Sequence, residues 1–404
     1  MMTRPETRIT SPDTALPAGG RISFLINSME GGGAERAMAN LLGHLQPHLA
    51  GYQVDLLLLD DLPRKQTLPG GLAVHTLDGR GKMLRSYAEL ARHWKHPDHR
   101  PDICVSFLAR ANVLNVWLAR RFGHRAIISE RVQTSSHIAA SRAAPLLAAI
   151  TRVSYPRADH VIAVSPGVAD DLATRFAVPR ARMSVIGNAI DGARLMKMAD
   201  EAPAIDLPED FLVGLGRLVP NKNFALLLKA YAQVPQAPPL VILGQGPEEE
   251  ALRRQAGQLG LGDRVQFAGF LENPYPVVQR ARALISASRA EGFPNTLIEA
   301  MSLGCPVIAT DCPSGPADVL ASAPVTRPPW PDTAHGILIP MEDDLAMAAA
   351  IELICDDTAR ADYAERAAKR AAFYGVSTVV EAYLALLRHG RNTVFIPEGK
   401  RGLS

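Results

Sequence analysis

The fold is decided by residues 21–45, which read RISFLINSMEGGGAERAMANLLGHL. The apolar run at its start ends in small polar residues, and three glycines follow at Gly31, Gly32 and Gly33. After the glycines, apolar residues recur at helical spacing. A strand, a glycine loop and a helix in that order open a doubly wound α/β unit. We therefore expect a parallel sheet whose first strand begins at residue 21.

Apolar runs farther along the chain predict two such sheets. Continuous runs of this length are typical of parallel strands that are buried on both faces. The N-terminal half adds strands at 52–59, 73–77, 102–107, 126–129 and 160–164. The second series begins at 211–218 and continues at 239–244, 265–270, 281–288 and 305–310, with a helix at 296–304. A chain of 404 residues also exceeds what one hydrophobic core usually supports, so two domains are expected.

The expected domains are residues 1–187 and 188–374, each Rossmann-like. The remaining segment, 375–404, contains a helix near 376–388 that could end in either domain. The stretch from Asp191 to Asp210 is rich in Ala, Asp and Pro and is predicted to be a linker. Because ligands of such sheets bind at the carboxyl ends of the strands, we expect the site in a cleft between two facing halves.

The composition excludes several classes of protein. The chain is 47% hydrophobic and 21% charged, which is ordinary for a globular protein and excludes disordered and collagenous chains. Its four cysteines form no C-x-x-C pair, so neither a zinc site nor a disulfide framework is indicated. We find no apolar run long enough for a transmembrane helix and no signal-peptide core at the N-terminus, and we expect a cytoplasmic protein.

The glycine loop Gly31–Arg36 (GGGAER) has two interpretations. Glycines before a helix let backbone N–H groups approach a ligand closely. A tight turn from strand to helix also needs glycine for its own sake. The loop is not G-x-G-x-x-G, and no acid follows at the position that the dinucleotide pattern requires.

Two motifs in the second series carry charge to strand ends. In residues 214–223 (GLGRLVPNKN), Arg217 and Lys222 flank a turn that opens a helix, where two cations suit a diphosphate. In residues 291–299 (EGFPNTLIE), Glu291 is expected on a loop and Glu299 in the first turn of the next helix. The free helix amides there could hold a phosphate, while Glu299 could accept hydrogen bonds from ribose hydroxyls. The donors are those of Asn295, Thr296 and Leu297.

These motifs resemble a known family. EGFPNTLIEAM (291–301), followed by GCPVIAT (304–310), resembles the E-x7-E signature of the retaining GT-B glycosyltransferases of family four, the glycosyl transferases group 1. GRLVPNKN (216–223) matches the donor-phosphate motif of that family. GGGAER is similar to the N-terminal loop of bacterial members that build lipid-linked oligosaccharides. IGNAID (186–191) and DCPSGPADVL (311–320) also match, so the resemblance runs from about residue 21 to 387.

The resemblance implies an α/β fold of the GT-B class, two doubly wound Rossmann-like domains facing across a cleft. The N-terminal domain would serve the acceptor and the C-terminal domain the nucleotide-sugar donor. Catalysis would need no metal and no cofactor. The implied donor-binding positions are Gly32, Gly33, Gly216, Phe270, Asn295, Thr296, Leu297 and Glu299, with the backbone around Phe270 meeting the base. Arg217 and Lys222 would neutralise the diphosphate, and Glu291 would contact the donor sugar.

The implied activity is retaining transfer of a hexose or N-acetylhexosamine from a nucleotide-diphosphate sugar, with UDP favoured. The acceptor would be a glycolipid or polysaccharide precursor of the cell surface. Members of the family often carry a histidine near the donor sugar, after the fifth strand. Arg131 occupies that position, so we retain Arg131 as a catalytic candidate, with His137 as a substitute. Two alternatives remain open, a nucleotide-sugar epimerase or phosphorylase on the same scaffold and a catalytically silent sugar-binding protein.

The charge of the chain is divided unevenly. Residues 1–187 carry 23 Lys and Arg against 15 Asp and Glu, which suggests an anionic partner for that half. Arg80–Arg100 is its most basic stretch, either a solvated helix face or an attraction to anionic lipid headgroups. Ser141–Ser154 has an apolar stripe with two arginines and is either a membrane-surface helix or a core helix. Nucleic acid is disfavoured because no aromatic stacking series accompanies the charge, so peripheral contact with the inner face of the plasma membrane is the expectation.

Overall fold

The computed structural model describes residues 19–139, 141, 143–321, 323–326, 329–331 and 334–389. The predicted absence of a signal peptide concerns residues outside this set, as does the tail after residue 389. Two compact units are present, and the chain passes between them at Ala189–Ile190 and at Gly375–Val376. Each unit is built on one parallel sheet.

The first unit alternates strands and helices from residue 21 onward. Its strands account for the predicted apolar runs, each within two residues of the expected bounds, and all of them except β3 are largely buried. The strands are β1 Arg21–Ile26, β2 Gln53–Leu58, β3 Ala73–Thr76, β4 Ile103–Phe107, β5 Arg125–Glu130, β6 His160–Ala163 and β7 Met183–Val185. The helices are α1 Gly33–Leu45, α2 Met83–Lys95, α3 Ala109–Phe122, α4 Thr134–Ala139, α5 Ala144–Ser154 and α6 Pro166–Phe176.

The second unit repeats the alternation. Its strands are β8 Leu212–Leu215, β9 Leu240–Leu243, β10 Val265–Gly269, β11 Leu284–Ser286, β12 Val307–Thr310 and β13 Ile337–Ile339. Its helices are α7 Gly192–Ala199, α8 Phe224–Ala232, α9 Glu249–Gln258, α10 Tyr275–Arg280, α11 Asn295–Ser302, α12 Pro316–Leu320, α13 Asp344–Ile354 and α14 Asp357–Ala371. The chain ends, as far as it is described, with α15 Val376–His389.

In both parallel sheets, the order in which strands are added reverses at one point. The first has the order β3-β2-β1-β4-β5-β6-β7, and the second has the order β10-β9-β8-β11-β12-β13. In each, the first three strands run outward on one side, and the chain then crosses back to add strands on the other side. The reversal lies between β1 and β4 in the first sheet and between β8 and β11 in the second. Crevices at the carboxyl ends of strands beside such a switch point are where α/β sheets bind ligands. The predicted fold class, two Rossmann-like α/β domains, is confirmed.

The last helix packs on the first unit although the chain reaches it from the second. Val380, Tyr383 and Leu387 of α15 lie in the same apolar core as Phe24 of β1 and Leu41 of α1. Where the chain crosses, Ile190 forms a parallel bridge with Gly375. Burial of this apolar face explains why the sequence forms a helix after the second unit is complete.

The predicted linker Asp191–Asp210 is wrong over its first half. Residues Gly192–Ala199 form α7, which packs against α10. The Asp191 carboxylate accepts a hydrogen bond from the amide of Arg194 at 3.0 Å, so it caps this helix. Two strands, β7 and β13, were not predicted, and each has only three residues.

Among the described residues, no helix combines the length and the apolarity that crossing a membrane requires.

Candidate functional site

The predicted donor residues lie at the switch point of the second sheet. Arg217 follows β8, and Glu291 follows β11, the strand paired with β8 on the other side of the reversal. The stretch from Pro220 to Lys222 forms one 3-10 turn between β8 and α8. Because parallel strands end at the same edge, two segments that are 69 residues apart meet there.

Lys222 and Glu291 form an ion pair at this edge. The Nζ atom of Lys222 lies 2.5 Å from Oε1 of Glu291. The two side chains are 23% and 13% exposed, so the pair is partly screened from water while still reachable from solvent. A pair with that exposure is worth more than a surface salt bridge and is still able to exchange partners with a ligand.

Glu291 is held from a second direction by the end of β11. The Ser288 hydroxyl donates to Glu291 Oε1 at 2.7 Å, and the Thr310 hydroxyl donates to the Ser288 carbonyl at 2.6 Å. Ser288 and Thr310 are both buried. One carboxylate oxygen therefore accepts from an ammonium and a hydroxyl, and its position is fixed by two neighbouring strands, β11 and β12. Sequence reasoning missed this support, although the small polar residues after a buried strand at 286–291 (SASRAE) were a signal for it.

The turn that carries Lys222 is tied to the loop that carries Glu291. Asn221 donates to the carbonyl of Ala290 at 2.8 Å, and the Arg289 guanidinium donates to the carbonyl of Pro220 at 2.7 Å. Arg289 also pairs with Glu342 at 2.6 Å, and that pairing holds the pKa of the Glu342 carboxyl below its usual range. These contacts connect the two loops on either side of the ion pair.

Arg217 differs from Lys222 in having an open guanidinium. Its side chain is exposed, and within the described part of the chain it has no hydrogen-bond or ion-pair partner. The loop after β9 packs closely against the backbone next to Arg217. A Cβ on Gly244 in that loop would lie 1.8 Å from the carbonyl oxygen of Gly216. Gly244 has φ +135°, so both the space and the backbone angle require glycine there. Gly216 itself packs beside the Lys222 side chain.

At the start of α11, two of the three backbone amides that were expected to be free already donate hydrogen bonds. The amide of Asn295 donates to the Phe293 carbonyl at 2.9 Å, and that of Leu297 donates to the Pro294 carbonyl at 3.0 Å. Of the three predicted amides, only that of Thr296 lacks a backbone acceptor among the described residues. The tight turn at Pro294 causes this, because it brings carbonyls back toward the first helical amides.

Glu299 lies one turn deeper than predicted. The helix α11 begins at Asn295, which places Glu299 in the second turn, and no acid occupies the first turn. The side chain is buried. A loop from 311 to 316 packs over the helix start, where a Cβ on Gly315 would come within 2.6 Å of Pro294.

Two other side chains define the surroundings of this edge. Phe270 follows β10 and is 67% exposed, so an aromatic face is open to solvent at the same edge of the sheet. Cys312 follows β12 and is buried, which raises the pKa of its thiol to about 12, with the negative charge of Glu291 adding to the effect. Such a thiol stays protonated at neutral pH and is not a nucleophile.

The first unit has its own switch point, where the predicted glycine loop is located. Gly32 is the N-cap of α1 and has extended backbone angles, and its carbonyl accepts from the amide of Arg36 at 3.1 Å. A Cβ on Gly33 would meet nothing within 4 Å. The loop therefore exposes backbone at the carboxyl end of β1, although close packing does not demand glycine at position 33.

Arg131 is buried and surrounded by protein. Its guanidinium donates to the Ser129 hydroxyl at 3.1 Å and to the side-chain oxygen of Asn188, and it lies 4.6 Å above the centre of the Phe107 ring. Burial lowers the pKa of Arg131. These contacts join the end of β5 to the segment that leaves the first unit. His137, the alternative residue, is exposed on α4.

The residue before Arg131 is a buried acid that sequence reasoning did not consider. Burial raises the pKa of Glu130 to about 7, opposed by a hydrogen bond from the Tyr155 hydroxyl at 2.6 Å. The amide of Arg131 also donates to this carboxyl group at 3.1 Å. The signal available was an acid in an apolar strand, IISE (127–130), where an unpaired charge would be costly.

The second-unit edge can therefore bind an anion beside a polyol. It presents one open guanidinium, one ammonium paired with a carboxylate, and an exposed aromatic ring. Within the described ranges, no cluster of three or more His, Cys, Asp or Glu side chains is arranged to hold a metal ion.

Two family models match the chain, one over each half. The model for Glycosyltransferase Family 4 matches residues 31–194, and the model for Glycosyl transferases group 1 matches residues 197–371. The second match contains Arg217, Lys222, Glu291 and Glu299.

Named relatives are bacterial enzymes of glycan assembly. The chain is 29% identical over 390 residues to an N-acetylgalactosamine-N,N'-diacetylbacillosaminyl-diphospho-undecaprenol 4-alpha-N-acetylgalactosaminyltransferase of Campylobacter jejuni, covering 91% of this chain and 99% of that protein. It is 33% identical to a lipopolysaccharide 1,6-galactosyltransferase of Salmonella typhimurium, over 40% of this chain and 46% of the relative.

A solved structure with the same fold is that of Anabaena Alr3699/HepE in complex with UDP. It aligns with a TM-score of 0.73 at 21% identity and covers 91% of this chain and 99% of its own. At that identity the likeness concerns the fold.

Proposed function

We propose, from the premise that this chain belongs to the family 4 and group 1 glycosyltransferases and has the GT-B fold, that it is a retaining enzyme with a nucleoside diphosphate sugar as donor. The chain is a glycosyltransferase, and its named relatives act in lipopolysaccharide or lipid-linked oligosaccharide synthesis. The acceptor that we propose is a lipid-linked glycan or a lipopolysaccharide precursor.

The observation that carries the proposal is the Lys222–Glu291 pair beside the open guanidinium of Arg217. A diphosphate carries two negative charges close together and needs two cations, which one lysine and one arginine supply at this edge. A sugar attached to that diphosphate would lie next to Glu291. A carboxylate fixed by Ser288 and Lys222 is a suitable acceptor of hydrogen bonds from sugar hydroxyls.

The proposed reaction breaks the bond between the anomeric carbon and the diphosphate oxygen. The electrons of that bond leave with the diphosphate, so negative charge grows on it while positive charge develops on the sugar ring. Arg217, Lys222 and the amide of Thr296 would stabilise the leaving group, and preorganised donors of this kind contribute most of the stabilisation in such sites. In this role the two cations replace a divalent metal, and transfer is expected to survive a chelator.

Retention of the anomeric configuration requires attack from the face that the diphosphate leaves. The acceptor oxygen then forms its bond to the anomeric carbon next to the departing phosphate oxygen. The departing phosphate oxygen is the base within reach, and it would take the proton of the acceptor hydroxyl. Glu291 would act on the sugar, because its negative charge stabilises a ring with oxocarbenium character.

We propose a uridine diphosphate donor that carries a hexose or an N-acetylhexosamine. In support, the Campylobacter jejuni relative is named for N-acetylgalactosamine transfer, and the Anabaena structure holds UDP. In this chain the exposed ring of Phe270 offers a surface for a base, and the buried carboxylate of Glu299 would accept from the ribose hydroxyls.

A thermal-shift series with nucleotide sugars, followed by a transfer assay, tests the proposal. A ligand at 100 times its dissociation constant stabilises the folded state by about 2.7 kcal/mol, so the true donor should raise the melting temperature clearly. Transfer to a short-chain polyprenyl-diphosphate glycan, with the product's anomeric configuration read by NMR, should show retention. Donor consumption without acceptor would favour an epimerase or phosphorylase, and an inverted product would reject the mechanism.

A further inference from the structure

Helix α5 exposes an apolar face to solvent, although Leu147 and Ile150 are half-buried on its inner side. Its buried residues are Thr151 and Ser154, and the indole N–H of Trp117 donates to the Ser154 hydroxyl at 3.0 Å. Its outer face exposes apolar side chains, with Leu146 at 62% and Val153 at 54%. A surface helix of a globular protein normally buries its apolar stripe and exposes its polar residues. The outer face of α5 therefore lacks the partner that its composition requires.

The exposed apolar side chains form one continuous stripe. They lie at i, i+4 and i+8 or at i, i+3 and i+7 along the helix, which places them on one face. The stripe consists of Pro145, Leu146, Ala149 and Val153.

An apolar groove of about 430 Å³, open to solvent, adjoins the stripe. It lies between α4, α5 and α6, and its walls include Ile138, Ala148 and Phe176. Two guanidinium-bearing residues, Arg152 and Arg175, line it as well. An apolar space with cations in its lining suits an acyl chain whose anionic headgroup stays outside.

Three arginines, on α5 or next to the turn that follows it, are held by backbone carbonyl groups. Arg152 donates to the carbonyl of Arg175 at 3.1 Å, Arg157 donates to that of Val153, and Arg182 donates to that of Pro156 at 3.2 Å. Throughout the described ranges, these three guanidinium groups make no salt bridge. Bonds to carbonyl groups hold the side chains in place and leave their positive charge available to phosphate groups.

We propose that the outer face of α5, with the adjoining groove and these arginines, docks the protein on an anionic phospholipid bilayer. The apolar stripe would enter the boundary between headgroups and acyl chains, and each nearby arginine would add about 1 kcal/mol of attraction to anionic lipid. The surface deepens the proposed function and rests on it for one point, the lipid-linked acceptor. This observation also answers the question left open for Ser141–Ser154, because a core helix would bury Leu146 and Val153. Arg142, the other arginine of that stretch, lies outside the described residues.

Vesicle flotation tests the docking surface with the full chain. The wild type should float with vesicles of phosphatidylcholine and phosphatidylglycerol at 3:1 and bind about tenfold less to phosphatidylcholine alone. The variant Leu146→Asp/Val153→Asp should lower the partition coefficient on the mixed vesicles by at least tenfold, and Arg152→Gln/Arg157→Gln should remove most of its salt dependence. Leu345→Asp is the matched control, because Leu345 of α13 is 64% exposed in the second unit, and its binding should equal that of the wild type.

Equal flotation of the wild type and the α5 variants would overturn the proposal, as would no flotation of the wild type. A wild type that is dimeric by sedimentation, and that Leu146→Asp/Val153→Asp makes monomeric, would show that a second copy covers the stripe and would overturn it too. Transfer to a water-soluble acceptor separates this proposal from the proposed function. Transfer without flotation rejects only the docking surface, and flotation without transfer to any acceptor rejects only the enzymatic proposal.

Discussion

The ammonium of Lys222 lies 2.5 Å from Oε1 of Glu291, across the reversal of the second sheet. The motifs of the sequence assign these two residues separate roles, one toward a diphosphate and the other toward a sugar. Their contact means that each neutralises the other when no donor is bound. A donor would take part of the lysine charge from the carboxylate, and Glu291 would then face the sugar with less of its charge compensated.

The contact predicts that Lys222 matters for both catalysis and stability. Lys222→Ala should lower turnover at saturating donor by about 10²–10³, as loss of one preorganised donor does elsewhere. It should also lower the free energy of unfolding by about 1–2 kcal/mol, because Glu291 loses a charged hydrogen-bond partner. Steady-state kinetics and urea denaturation measure the two effects. Lys229→Ala, at an exposed lysine on α8, is the control and should leave both unchanged.

Arg217 should separate the two effects. Its guanidinium is exposed and has no partner in the described structure, so Arg217→Ala should change the free energy of unfolding by less than about 0.5 kcal/mol. Turnover should still fall by about 10²–10³, because the diphosphate would lose one of two cations. Turnover near that of the wild type, at saturating donor, would remove Arg217 from the site.

Ser288 and Thr310 should act as positioning residues for Glu291. Thr310→Val removes the hydroxyl that holds the Ser288 carbonyl at 2.6 Å, and Thr310→Ser keeps it. We expect kcat about tenfold lower in the valine variant with donor KM little changed, and recovery of kcat in the serine variant. If kcat changes equally in both variants, or if only thermal stability changes, then Thr310 contributes to packing and does not position Glu291.

Much of this molecule was predictable from the sequence, and the failures have physical causes. The strand and helix pattern was found because buried parallel strands are continuous apolar runs, as in β1 and β9. The linker prediction failed at α7, where the apolar face of the helix is set by packing on α10 rather than by a long periodic pattern. The strand β13 consists of three apolar residues, and a run that short does not distinguish a strand from a helix or a loop.

The motifs of the candidate site can be read from the sequence, whereas the contacts between them cannot. Arg217, Lys222 and Glu291 follow strands in ways that the sequence shows. The hydrogen bond from Ser288 to Glu291 depends on which strands are neighbours, and sheet order cannot be read from local sequence. The amides at Asn295 and Leu297 were expected to be free because the sequence does not show how the turn at Pro294 directs its carbonyls.

Glu130 should make stability depend on pH in a defined direction. Its pKa is raised from 4.5 to about 7 by burial, so the native state binds the proton more tightly than the unfolded chain. The resulting stabilisation is complete below about pH 4.5 and is lost as the pH rises through 7. Between pH 5 and pH 8, the wild type should lose on the order of 2–3 kcal/mol relative to Glu130→Gln. Urea denaturation at both pH values measures this, and Glu209→Gln, on the surface, should follow the wild type.

Arg131 is the residue for which the sequence and the structure support different roles. The resemblance places Arg131 where members of the family often have a histidine, and the structure encloses its guanidinium among Ser129, Asn188 and the Phe107 ring. A buried cation in such contacts is expensive to disturb, so Arg131→Met should lower the free energy of unfolding by about 3 kcal/mol. Arg131→Lys keeps the charge but loses the planar set of guanidinium donors. Its free energy of unfolding should lie between those of the wild type and Arg131→Met.

Donor binding and turnover distinguish a structural role of Arg131 from a catalytic one, because a purely structural Arg131 leaves the candidate site in the second unit intact. At a temperature where the Arg131→Lys variant is folded, its dissociation constant for the donor nucleotide should equal that of the wild type, and turnover should fall no more than about threefold. A loss of turnover near 10²-fold at unchanged melting temperature would instead give Arg131 the catalytic role that its sequence position suggests. Isothermal titration and kinetics on the same preparation decide between the two, since the buried contacts predict a change in stability and the sequence position predicts a change in rate.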